Sequence, residues 1–89
     1  MRCYIICYEL LNKATTSYDA LFSAIKAYGT WARINDTTWA LVTDKAAVAV
    51  RDELTKYIGA TDRLFVIKSG AEAAWKAVMC NSDWLKKNL

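Results

Sequence analysis

Arg2-Cys3-Tyr4-Ile5-Ile6-Cys7-Tyr8-Glu9-Leu10 is the stretch on which the fold turns. It is rich in β-branched and aromatic residues, and both of its alternating residue sets are apolar up to Glu9. A strand exposed on one side alternates apolar with polar, whereas a strand covered on both sides reads as a continuous apolar run. This segment is therefore expected to be a central strand, with helices on one face and a partner or loop on the other.

Working outward, 11–16 reads as a polar connector, and Ser17 as the cap of a helix from Tyr18 to about Tyr28. Tyr18, Leu21, Phe22, Ile25 and Tyr28 recur at helical spacing and make one apolar stripe. Gly29 follows as a C-terminal stop. Thr30–Ile34 and Thr38–Thr43 flank Asn35-Asp36-Thr37, a turn signal, and so read as a hairpin. Thr43 or Asp44 is expected to cap a second helix with the stripe Ala47, Val50, Leu54, Tyr57 and Ile58, closed by Gly59. Asp62–Ser69 is a further strand. Beyond it, Trp75 and Val78 are expected to pack as an edge segment or helix, and Ser82 to cap a short helix over Asp83–Asn88. The order predicts an α+β fold of the ferredoxin-like βαββαβ type: one antiparallel sheet with two helices on one face. It makes one domain of 1–89, with 71–89 as a C-terminal appendage.

Composition narrows the chemistry. The 89 residues are 55% hydrophobic, with four Trp and five Tyr, more apolar surface than one small core readily hides. That favours a homodimer over a tightly packed monomer. A net charge of +3 permits phosphate contacts without the dense basic stripe of a duplex-DNA binder. The odd cysteine count (Cys3, Cys7 and Cys80) points to a reducing, cytoplasmic compartment. Cys3 and Cys7, four apart on a strand, would lie roughly 13 Å from each other, too far to bond. Histidine is absent, which removes Ser-His-Asp and Cys-His catalysis and His-ligated metals. The N-terminal apolar stretch, broken by Glu9, is too short for a signal peptide, and no run is long enough to span a membrane.

Few residues invite chemistry. Glu9, closing the first strand, can hold a divalent cation, and in a two-fold dimer can meet its own copy; the plainer alternative is a solvated acid at a strand end. Asp36 and Asp44 fit turn and cap roles, and Asp62 a surface pair with Arg63. Arg33, Arg51, Arg63 and Lys68 would gather phosphate oxygens if they projected from one face. Trp31 and Trp39 would either stack on bases or fill the core or a dimer surface. Ser69-Gly70-Ala71 lacks the glycines and lysine of a phosphate loop, and Ser17, Thr37 and Thr38 have no base partner in sequence.

The opening Cys3–Leu10 run with its aromatic-acidic close, the Thr38-Trp39 pair and Asp62-Arg63-Leu64-Phe65-Val66 together resemble CRISPR-associated protein two and its stand-alone relatives. The likeness extends to small bacterial and phage proteins labelled SinR-like, through the ending Trp84-Leu85-Lys86-Lys87-Asn88-Leu89. Nothing here resembles a helix-turn-helix repressor. The resemblance implies a ferredoxin-like fold, a two-fold dimer and a setting in phage or bacterial defence. It also implies a magnesium ligand at the carboxylate closing the first strand, where the family has aspartate and this chain Glu9, one methylene longer. The expectation is a homodimer that binds nucleic acid or a phosphate-bearing nucleotide without catalysis, with Arg33, Trp39, Arg63 and Lys68 as ligand contacts. The alternatives are a magnesium-dependent phosphodiesterase using paired Glu9, and a protein-interaction module.

Overall fold

The expected central strand is present as β1 (Arg2–Glu9). The computed structural model describes residues 1–11, 18–70 and 72–89. β2 (Thr30–Asn35), β3 (Thr38–Thr43) and β4 (Arg63–Lys68) join β1 in one antiparallel sheet of order β2-β3-β1-β4. α1 (Asp19–Lys26) lies between β1 and β2, α2 (Ala47–Thr55) between β3 and β4, and α3 (Ser82–Asn88) follows β4. The result is a small α+β fold: a four-stranded antiparallel sheet with three helices among the described residues.

Strand alternation sorts β1 into two faces. Tyr4, Ile6 and Tyr8 point to the main core, where they meet Leu21 and Ile25 of α1, Val50 and Leu54 of α2, and Trp39 and Leu41 of β3. Most of these are fully buried, each aliphatic contributing about 1.5–3 kcal/mol over an exposed position. Cys3, Ile5 and Cys7 point the other way. On that side Ala32, Ala40 and Leu85 of α3 are buried, and Trp84 shares a cleft with Thr30 and Val42. α3 thus covers the β2–β3 half of the second face. The β1–β4 half keeps Phe65 and Ile67 exposed.

The helix ends differ from expectation. α1 is shorter than its stripe; Tyr18 and Tyr28 lie just outside it yet still pack on the core. The Ser17 cap lies outside the described residues. Gly29 takes φ +91°, the left-handed turn for which the stop signal stood. α2 is not capped by Thr43 or Asp44. It starts after Ala46, whose extended backbone carries no side-chain cap, while the Thr43 hydroxyl accepts from the Lys45 N–H at 3.3 Å and is spent in the turn before the helix. Tyr57 and Ile58 fall past its end. α3 is capped by Asn81, one residue before the expected Ser82: its Oδ1 accepts from the Asp83 N–H at 2.7 Å. Neither strand nor helix forms around Trp75 and Val78. The Met79 N–H instead donates to the Ile34 carbonyl at 2.9 Å, bringing the tail against the outer edge of β2.

Asp62 does not pair with Arg63. Its carboxylate accepts from the Leu11 N–H (2.7 Å), the Gly59 N–H (2.8 Å) and the Tyr18 hydroxyl (2.7 Å). One side chain so ties the end of β1, the start of α1 and the turn before β4. The two backbone donors and then the hydroxyl hold its carboxyl below the usual carboxylate range.

Two predictions follow from this packing. Leu41→Ala, at a fully buried position, should cost roughly 2–5 kcal/mol in urea unfolding, a large part of the stability of a chain this size. A carboxyl with a depressed folded pKa stabilises above its unfolded pKa, and that contribution is lost as pH falls through the folded value. Asp62→Asn should therefore lower Tm at neutral pH and flatten the fall in Tm on acidification; an unchanged pH profile would refute the tie.

Candidate functional site

The β2–β3 hairpin places the residues expected to contact a ligand. The Asn35 side chain accepts from the Thr37 N–H at 3.1 Å and shapes the turn, and β2 shifts register between Arg33 and Asn35. Arg33 lies on the helix-bearing face. Its guanidinium sits 4.8 Å from the Phe22 ring centre and 5.1 Å from that of Trp39, and it donates to the Asp36 carbonyl at 3.0 Å.

Trp39 is 1% exposed. Its indole N–H donates to the Tyr8 hydroxyl at 2.8 Å, and that hydroxyl donates to the Asp36 carbonyl at 2.9 Å. The ring stacks on Phe22 at 5.7 Å and tilts against Trp31 at 5.4 Å. Trp39 is a core residue, with no open face for a base. Burial pushes the Tyr8 hydroxyl above the usual phenol range, against the opposing pull of the Trp39 N–H and Arg33. The group is a neutral hydrogen-bonding bridge.

Trp31 is the half-exposed member of this aromatic row, with the Lys26 ammonium 5.3 Å from its ring centre. It borders a cleft of about 270 Å³ between the β2 edge and the tail, lined also by Ala32, Arg33, Met79, Cys80, Asn81 and Trp84. That is just below the ~300–1,000 Å³ usual for ligand sites, room for a planar ring more than a whole nucleotide. Sequence reading missed that Trp84 of the tail lines the same cleft as Trp31. Its one signal was a tail unusually rich in tryptophan for an appendage.

The four cations do not converge. β-strand register puts Arg33 and Lys68 on the helix-bearing face but in opposite edge strands, three strand spacings (about 14 Å) apart across the sheet and two residues apart along it. Arg63 projects from the other face, and Arg51 pairs with Asp52 on α2 at 2.8 Å. The expected phosphate cluster of Arg33, Arg51, Arg63 and Lys68 is thereby dispersed: alternation along the strands separates residues that look equivalent in sequence.

Glu9 is the register partner of Arg63 and forms an ion pair with it. Both side chains are more than half exposed, in the range where such a pair contributes about 0–1 kcal/mol. A shallow cleft beside them is lined by Cys7 and Phe65. Among the described residues no three or more His, Cys, Asp or Glu side chains gather as a metal site. Glu9 supplies one carboxylate, and its neighbour is a cation, not a second oxygen donor. A magnesium ion prefers six oxygens, so the residues of one chain do not fit it; carboxylates from a second copy would be needed.

No helix among the described residues is long and apolar enough to cross a membrane. No family model matches the chain, and neither a curated protein nor a solved structure does.

The Tyr8 bridge can be tested directly. Tyr8→Phe leaves the buried Trp39 N–H without an acceptor, and should cost about 1–3 kcal/mol in denaturant unfolding. Tryptophan emission should shift with it as the hairpin end loosens.

Proposed function

We propose that this chain is a homodimeric binding protein for nucleic acid or a phosphate-bearing nucleotide, built on a ferredoxin-like frame and not itself catalytic. The observation that carries the reading is the cleft at the β2 edge, whose lining includes Trp31, Arg33 and Trp84, with Lys26 over the Trp31 ring. Aromatic rings beside cations are what unstacked bases and their phosphates require. The β-α-β-β-α-β order and the β2-β3-β1-β4 sheet support the ferredoxin-like frame. The resemblance to CRISPR-associated protein two supports the dimer and a cytoplasmic role in phage or bacterial defence. The reading moves the stacking role from Trp39 to Trp31 and Trp84, keeps Arg33 beside them, and leaves Arg63 and Lys68 as peripheral cations.

The alternative, a magnesium-dependent phosphodiesterase with paired Glu9, has weaker support because the near neighbour of Glu9 is Arg63. Cleavage by the purified protein that disappears in Glu9→Gln and with a chelator would favour it over simple binding.

Anisotropy of a labelled single-stranded oligonucleotide tests the main reading. Trp31→Ala and Trp84→Ala should each weaken binding about five- to 150-fold, the loss of one base stack at about 1–3 kcal/mol. Affinity should also fall with added salt. Unchanged affinity in both variants would sink the proposal.

A further inference from the structure

The two edges of the sheet are finished differently. The outer edge of β2 receives the Met79 N–H, whereas β4 pairs with β1 alone among the described residues. The ladder fixes which backbone groups of β4 are open. Ser69 donates its N–H to the Cys3 carbonyl at 2.9 Å, so Ile67, Phe65 and Arg63 bond towards β1 by alternation. Leu64, Val66 and Lys68 then turn their N–H and C=O groups outward.

Apolar side chains flank that open row. Phe65 and Ile67 are 56% and 48% exposed on the face away from α1 and α2. On the other face Val48 of α2, 54% exposed, borders a groove with Leu64 and Val66. Between Arg63 and Lys68 the strand has no charge, proline or bulge, the features that usually blunt an edge.

We propose that a second copy of this chain occupies the edge, β4 against β4, about a two-fold axis through Val66. The occupant follows from self-complementarity. A two-fold axis normal to the sheet keeps its faces aligned, so it must pass through a residue position. With Val66 opposite the partner's Val66, the two exchange both backbone bonds, and Leu64 and Lys68 exchange theirs with the partner's Lys68 and Leu64. Phe65 then faces the partner's Ile67 on the open face, twice over, so each exposed apolar side chain covers the other. No like charges stand opposed. Centring on Phe65 instead sets Arg63 against the partner's Ile67, and centring on Ile67 sets Phe65 against the partner's Ser69. The contact is isologous and closes as a dimer with one eight-stranded sheet.

This inference rests on the homodimer half of the proposed function and is independent of the ligand. The test is sedimentation of the full chain together with amide hydrogen exchange. The expected result is a particle of twice the 10.0 kDa chain mass, with the Val66 and Lys68 amides protected. Phe65→Lys should give a folded monomer in which those two amides exchange fast. A dimer whose Val66 and Lys68 amides exchange fast would overturn the edge pairing while leaving the homodimer reading intact. A monomer at every concentration would overturn both.

Discussion

The structure depends on β1 being paired on both edges and apolar on both faces. Its backbone bonds to β3 and β4 leave no freedom to tilt away from either layer. Tyr4, Ile6 and Tyr8 must therefore find α1 and α2, and Cys3, Ile5 and Cys7 must find some other cover. Among the described residues two helices serve the first task and the short α3 the second. α3 reaches the β2–β3 half of the face, and the β1–β4 half stays apolar and open. Incomplete cover on one side of one strand is thus the origin of the exposed Phe65 and Ile67.

Asp62 and Tyr8 do for the loops what β1 does for the sheet. Each is a polar group with several partners at a junction of elements: Asp62 where β1, α1 and the turn before β4 meet, Tyr8 where β1 meets the hairpin turn. Both anchor points lie at the C-terminal end of β1. The opposite end is held by Arg2 and the Tyr4 hydroxyl, which donate to carbonyls of the β3–α2 turn. The C-terminal end lies by the hairpin turn, where Arg33 stacks on Phe22 and Trp39, donates to the Asp36 carbonyl and lines the cleft.

The strands and helices were legible because their signals are local: the apolar run of β1, the helical stripes and the Asn-Asp turn each declare themselves within ten residues. Cap positions were less so, since Thr43, Asn81 and Ser82 are all competent caps and the local chain path decides among them. The site was the least legible part. Whether Arg33 and Arg63 share a face depends on the register of two edge strands with two strands between them, a relation that no local pattern encodes. Trp39 and Trp31 look alike in sequence, yet the position opposite Ile6 in a central pair is buried and the edge position is not. The Glu9–Arg63 pair joins residues 54 apart in the chain, and Asp62, read as the partner of Arg63, is taken up by donors that only the closed fold brings near.

The aromatic cleft and the open edge lie on opposite sides of the sheet, β2 and β4. If copies join through β4, the two clefts end up at the far margins of eight strands, seven spacings or about 34 Å apart. Dimerisation of that kind neither blocks the clefts nor builds them. It sets their separation. A short nucleotide would then occupy each cleft independently, whereas a strand long enough to reach both would gain from effective concentration at the second cleft. Dimerisation through the open face would act differently, because it would bring the Glu9–Arg63 pairs of two copies together and displace solvent from them. If copies do join, the surface they use would decide what the assembly offers: aromatic clefts held at a distance, or a shared charged seam at the centre.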